Sequence, residues 1–336
     1  MTKLKIFNIC VIGLLVFATL GQAKNEKRAQ TGMPFLSISL DARATAMGTA
    51  NIAMETGVTA FFYNPAGLAW FDRSISLMAG QLDFIADIKY QYGAIAYSPA
   101  RGEYGVFGLT AMGVDYGDMQ GTIRADNNQG YLDTGIFNPK AYAIGLGYSK
   151  ALSNKFAVGG DVRYVYQNLI GGLREFGSDQ STVGIDTDLN ILAFDFGILY
   201  KTGYKSLNFG MNVRNFSAEK AFIDEQFQLP LSFEIGLSMD MIDFTDFNPD
   251  RHNLLFSMDA KHPRDYPEQI DLGLEYVYNH LLALRVGYTT PTDEEGISMG
   301  VGINQDISGY GISIDYAYTS FGVFDDVHRF TLNLSL

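Results

Sequence analysis

Cysteine is almost absent: among 336 residues there is one, Cys10, so no disulfide framework holds the fold. Tryptophan also occurs once, and histidine four times. His252, His262, His280 and His328 show no metal-ligand spacing such as His-Glu-x-x-His. No G-x-S-x-G, Walker loop or dinucleotide fingerprint occurs, so the expectation is a non-enzyme without metal or cofactor. Charged residues make up only 18% of the chain, below the usual quarter of soluble proteins. The net charge is −13, which excludes a nucleic-acid binder, since that needs surplus Lys and Arg to neutralise phosphates. Repeated runs of about 20 apolar residues are missing, which excludes a bundle of transmembrane helices. What the chain does have is glycine (36), phenylalanine (24) and tyrosine (20), a composition suited to a β protein whose apolar surface faces lipid.

The first residues read as a secretory signal, 1–23: Lys3 and Lys5, an apolar stretch from Ile6 to Leu20, then the small-x-small site Gly21-Gln22-Ala23. Cys10 lies inside the apolar stretch, so the exported chain is expected to carry no cysteine. Lys24 to Thr31 is polar, and Gly32 to Phe71 differs from everything after it, being rich in Ala, Gly and Met with little alternation. Asp41 is placed to cap a short helix from Ala42 to about Ala53, and Asn64-Pro65 reads as an N-cap followed by Pro at the first helical position.

From Ser74 onward the period is two. Leu231, Phe233, Ile235, Leu237 and Met239 share one face, with Ser232, Glu234, Ser238 and Asp240 on the other. Tyr310, Ile312, Ile314, Tyr316 and Tyr318 likewise oppose Ser313, Asp315 and Thr319. This pattern predicts fourteen strands: 74–83, 88–98, 103–115, 140–150, 155–168, 187–200, 206–216, 230–240, 252–261, 268–278, 281–289, 296–304, 309–319 and 327–336. Most are long enough for a tilted strand to cross a bilayer, and their number is even, as in bacterial outer-membrane barrels. Counted from the first hairpin, the even connections are short apart from 241–251, whereas the odd ones include the long polar segments 116–139, 169–186 and 217–229. Short periplasmic turns and long outer loops have this parity, which places both ends of the strand array, and the start of the exported chain, on the periplasmic side. Tyr148, Tyr164, Tyr166, Tyr278, Tyr288 and Tyr318 fit an interfacial girdle. The expectation is an all-β, antiparallel transmembrane barrel over 74–336, preceded by a partly helical N-terminal segment.

Three stretches then resemble a known family. Gly32-Met33-Pro34-Phe35-Leu36-Ser37-Ile38, then Ala42-Arg43-Ala44-x-Ala46-Met47-Gly48-x-Ala50, then Asn64-Pro65-Ala66-Gly67-Leu68-Ala69 are similar to the start of the PorV/PorQ family, within the FadL-like group of fourteen-stranded outer-membrane barrels. The chain departs from that pattern at Glu55-Thr56-Gly57, where an acidic pair is common, and in ending on Ser335-Leu336 without a terminal aromatic. The resemblance implies that 24–73 forms a plug or hatch in the barrel, with Arg43, Met47, Gly48, Asn64, Pro65, Ala66, Gly67 and Leu68 as its motif residues. Arg43 would then meet lumen acids such as Glu234, Asp271 or Asp315.

Two functions follow from the resemblance. The first is a component of type IX secretion in the outer membrane of a Bacteroidetes-like bacterium. It would bind translocon or attachment-complex proteins and the C-terminal domains of cargo through its long loops. The second is a FadL-like channel for hydrophobic compounds. For that reading Met47, Met54, Phe61 and Phe62 are the candidate pocket, and Gly108 the candidate kink for a lateral opening; ordinary curvature or room for the plug is the other reading of Gly108. A plain diffusion porin is a third. Acidic residues in the loops (Asp115, Asp118, Asp126, Asp133) match no calcium loop and are expected to face lipopolysaccharide, directly or through bridging cations.

Overall fold

The computed structural model of the protein describes residues 31–169, 174–176, 182–184, 188–222 and 225–336; the expected signal, 1–23, lies outside them. The strands in chain order are β1 (Ile75–Asp83), β2 (Lys89–Tyr97), β3 (Val106–Asp115), β4 (Met119–Arg124), β5 (Tyr131–Phe137), β6 (Lys140–Ala151) and β7 (Phe156–Asn168). There follow β8 (Arg174–Phe176), β9 (Thr182–Gly184), β10 (Leu189–Lys201), β11 (Asn208–Phe216), β12 (Lys220–Phe222), β13 (Glu225–Phe227) and β14 (Ser232–Asp240). The last six are β15 (His252–Pro263), β16 (Gln269–Tyr278), β17 (Leu282–Thr290), β18 (Ile297–Ile307), β19 (Tyr310–Thr319) and β20 (Val327–Ser335).

Fourteen of these close into one antiparallel barrel, β1-β2-β3-β6-β7-β10-β11-β14-β15-β16-β17-β18-β19-β20, with β20 paired back to β1. They match the fourteen predicted strands one for one. Closure leaves no unpaired edge, which in hydrocarbon is the condition for strands to span at all. The alternation sorts the side chains. Along β17, Leu282, Leu284, Val286 and Tyr288 are exposed on the outer wall, while Ala283, Arg285, Gly287 and Thr289 are buried inward. A one-residue slip would carry Arg285 to the lipid face, so register is strongly specified.

Three pairs of strands lie outside the barrel wall. The hairpins β4–β5, β8–β9 and β12–β13 occupy the three long odd connections, which the sequence pattern had suggested only as polar loops. They mark one rim as the long-loop end. The opposite rim carries the short turns and one longer segment, 241–251, which contains a 3-10 turn (Met241–Phe244) capped by Asp240.

Residues 33–71 fill the lumen. Thr31 bridges to Gln228, and the Gly32 amide donates to the Gln228 carbonyl at 3.0 Å, in the connection carrying β12–β13. The described chain therefore starts at the long-loop end and runs through the barrel to the short-turn end. The start expected for the exported chain, at residue 24, lies outside the described residues. Packing sets the path from residue 31 onward: Met33, Phe35, Leu36 and Leu40 bury themselves against Leu82, Tyr90, Val114, Val165 and Val327, all near the long-loop rim. Phe84 closes over this core, edge-on to Phe321 and Tyr90 at 5.5 and 5.9 Å.

Helix α1 (Ala42–Ala46) is capped as expected, with the Asp41 carboxylate accepting from the Ala44 amide at 2.8 Å. It stops at Ala46 rather than near Ala53, because Gly48 and Thr49 both take a φ of 61°, a left-handed conformation that cannot continue the helix. Two 3-10 turns follow, Gly57–Phe62 and Pro65–Leu68, the second capped by Asn64 with Pro65 leading.

Candidate functional site

The plug meets the wall along a band of inward glycines. A Cβ on Gly108 or Gly147 would collide with the Phe61 ring, on Gly159 with Pro65 and Ala66, and on Gly197 with the Asn64 side chain. Gly210 and Gly236 receive Ile52 and Ala53; Gly273 and Gly287 receive Met47 and Gly48; Gly300 receives Ala46. Where a strand must admit another backbone, only a residue without a side chain fits.

Polar wall groups complete the contact by serving the plug backbone. Asp259 accepts from the amides of Asn51 and Ile52 at 2.7 and 2.9 Å. Ser238 donates to the Ala53 carbonyl (2.7 Å), Thr289 to that of Gly48 (3.0 Å), and the Arg329 Nε to that of Ser39 (3.0 Å). Asn212 donates to the Tyr63 carbonyl, and Thr331 accepts from the Ala42 amide at 2.9 Å. Asn64 joins the two bodies: it caps its own turn, donates to Ile52 within the plug at 2.7 Å, and donates to Ile198 of β10 at 3.0 Å. A plug with little regular structure has many free amides and carbonyls, and inside a barrel the wall must satisfy them.

Charges inside are paired in networks. Arg43 makes a two-pronged bond to Glu275 (2.7 and 2.9 Å); Arg285 donates to the same carboxylate and to Asp315 at 2.6 Å. Arg43 thus meets Glu275 rather than the expected Glu234 or Asp271, with Asp315 one link away. Asp271 is held instead by Lys261 at 2.6 Å and by Thr49 at 2.9 Å. On the other side of the lumen Arg163 binds Asp195 through both carboxylate oxygens at 2.5 and 2.6 Å, next to a bulge where Asn215 takes a φ of 57°. None of Asp259, Asn212, Glu275, Arg285 or Arg163 was singled out as a site residue from the sequence. The available signal was their position on the inward face of an alternating strand.

The four apolar candidates do not line one pocket. Met47 lies against β16 at Gly273, Phe61 against β3 and β6, and Phe62 edge-on to Tyr92 at 5.9 Å. Met54 borders a different space, a cavity of ≈ 860 Å3 at the short-turn end with many polar walls, among them Arg43, Asn51, Glu275 and Asn333. Burial and the neighbouring Asp315 carboxylate push the Asp41 carboxyl in that wall up to about 6. At Gly108 no kink is present: β3 pairs with β2 and with β6 in unbroken register, and the glycine makes room for Phe61. Outside the same glycines, a recess of ≈ 450 Å3 is lined by Phe107, Leu146, Tyr148 and Phe196 on the outer wall.

The long-loop end presents apolar groups without cover. On β4–β5, Tyr131, Leu132 and Ile136 are exposed, Ile136 to 68%. Phe216 and Val323 are exposed at the same end.

Comparison with known proteins agrees with this geometry. TbuX, a toluene transporter of Ralstonia pickettii, superposes with a TM-score of 0.57 at 14% identity, covering 88% of this chain and 98% of its own. The Pseudomonas putida toluene transporter TodX gives 0.56 at 14% identity, with 89% and 98% covered. A Pseudomonas aeruginosa FadL homologue gives 0.52 at 13%, again covering 89% and 98%. At such identities the likeness establishes a shared fold. No curated protein matches the sequence. The family model for the type IX secretion system protein PorV matches residues 21–253, more than half of the chain. With its closed barrel and lumen plug, this outer-membrane chain belongs to the PorV family of type IX secretion proteins.

Proposed function

We propose that this protein serves type IX secretion as a docking barrel: its long-loop face binds cargo C-terminal domains or translocon proteins, and its lumen conducts nothing. The observation that carries the reading is the exposed apolar surface of β4–β5, held on a barrel whose interior is occupied by residues 33–71. Rigid scaffolds commonly carry recognition on their loops, and apolar residues projecting from a rim otherwise polar favour a protein partner. Replacing 119–137 by a short Gly/Ser linker is expected to abolish cargo attachment while the barrel still shows folded migration in unheated gels. Undiminished attachment would defeat the proposal.

The outer-wall recess favours a second reading, a FadL-like route for hydrophobic compounds. Only the Gly108–Gly147 pair separates it from Phe61 in the lumen. Passage would require that the paired strands part there. Uptake of a labelled aromatic hydrocarbon by vesicles carrying the intact protein would favour this route over docking.

A further inference from the structure

The recess on the outer wall is built by strand register. Phe107, Tyr148, Gly160 and Phe196 are partners in turn across β3, β6, β7 and β10, all at outward positions. Three rings and a glycine in one row leave a slot one strand wide, floored by Gly160. Leu146 and Val162 extend its walls in the next row. Its ≈ 450 Å3 falls among ligand clefts, which run to about 300–1,000 Å3. The walls are held in place: the Phe107 and Tyr148 rings lie 5.0 Å apart, and the Tyr148 hydroxyl donates to the Tyr104 carbonyl at 3.0 Å. Gly160 does not serve the plug. A Cβ there would approach the Asp195 carbonyl and the Phe196 ring, with no plug atom near. The other outward positions of β7, from Phe156 to Tyr166, all carry side chains.

Charge sits at the mouth of the slot. Lys150 follows Tyr148 on the outward face of β6, one row nearer the short-turn rim. That two-residue step is about 7 Å. Its ammonium donates to the Glu103 carbonyl and keeps two further donors. Lys155 is exposed in the β6–β7 turn. Among the described residues neither lysine has a carboxylate partner. Within 98–105 and 150–155 Arg101, Lys150 and Lys155 face a single acid, Glu103, in a chain of net charge −13. An apolar slot in the membrane takes a hydrocarbon chain, and unpaired ammonium groups at its mouth take an anion. One molecule joins the two over that span: a phospholipid. A free hydrocarbon would leave the lysines unused, and a partner strand finds no open edge, because the ladder is closed. We propose that the slot holds one acyl chain of an anionic phospholipid from the periplasm-facing leaflet, with its phosphate bound by Lys150 and Lys155.

The test uses the full-length protein, folded in lauryldimethylamine oxide and freed of lipid. It is offered dioleoyl phosphatidylglycerol, phosphatidylethanolamine and phosphatidylcholine in equal amounts, and retained lipid is counted by native mass spectrometry. One phosphatidylglycerol per barrel is expected, held about tenfold over either zwitterionic lipid with the same chains. The double variant Lys150→Gln, Lys155→Gln should lose that preference, and Gly160→Leu, which fills the slot, should lose the retained lipid altogether. All three substitutions lie on outward or turn positions away from the plug, and unheated gel migration checks that the barrel folds. Should Gly160→Leu fail to fold, the lysine variant decides. Equal retention of the three lipids by the wild type, a phosphatidylglycerol preference that survives the lysine variant, or full retention by folded Gly160→Leu overturns the proposal. No cargo and no hydrocarbon uptake is involved, so failure here and failure of either functional reading are separate results.

Discussion

Asn64 shows how much one side chain carries in this lumen. Its oxygen caps a turn, and its nitrogen holds one carbonyl of the plug and one of the wall. Asn64→Ala removes the cap and leaves the Ile52 and Ile198 carbonyls without that donor. Lost caps and unsatisfied buried groups each cost on the order of 1–2 kcal/mol, so a loss of about 3 kcal/mol is expected in urea unfolding from lipid vesicles. Asn64→Asp keeps the acceptor and should fall between the two. Asp41 supplies the pH dependence. Its folded value of about 6 lies above the ordinary 3.8, because burial and Asp315 disfavour the charged form. The folded state therefore binds the proton more tightly than the unfolded chain. The stabilisation is full below about pH 3.8 and is lost as pH rises through about 6. Unfolding midpoints compared across that window should show the wild type losing this contribution on going to pH 7, and Asp41→Asn lacking it.

At the scale of elements, the plug and the strands are one construction. Glycines in β3, β6 and β7 read, in the sequence, as room for a bulge, for curvature or for close approach of another backbone; in the fold Gly108, Gly147 and Gly159 serve the last of these, and glycines of β10, β11, β14, β16, β17 and β18 continue the band of contact with the plug. Gly287→Val is expected to push Gly48 out of its seat while leaving the lipid-facing alternation of β17 intact. The barrel should then keep its folded migration, whereas Arg43, shielded in the wild type, becomes cleavable by trypsin. Persistence of the intact product under limited proteolysis would show that the wall tolerates the side chain and that the glycine band is not what seats the plug.

The whole molecule is a filled barrel whose interior is apolar toward the long-loop end and polar toward the short-turn end. Fourteen strands would otherwise leave room for an aqueous path. The intact protein should give no conductance steps in planar bilayers, and a variant lacking residues 33–71 should give open-channel steps. Steps from the intact protein would mean that the plug leaves or shifts, and would return weight to the transport reading.

The strand array was legible because its determinants are local and periodic: each strand's alternation states which face meets lipid, and loop length states which rim is which. The caps at Asp41 and Asn64 were legible for the same reason, since a cap needs only its own next turn. The rest depended on residues far apart in the chain meeting in the lumen. Arg43 meets Glu275 rather than Asp271, which is already held by Lys261 of the neighbouring strand β15. Gly108 lost its role as a hinge because Phe61, from a different segment, occupies the space in front of it. The path of the plug from the long-loop rim was set by where Phe35 and Leu36 find apolar wall. Sequence alone determined that this chain is an outer-membrane barrel of fourteen strands with a segment ahead of them, because period and length are properties of the chain itself. Only the tertiary structure decided how that segment enters, what it touches and which cavity it leaves, because inward side chains choose their partners across the closed barrel rather than along the sequence.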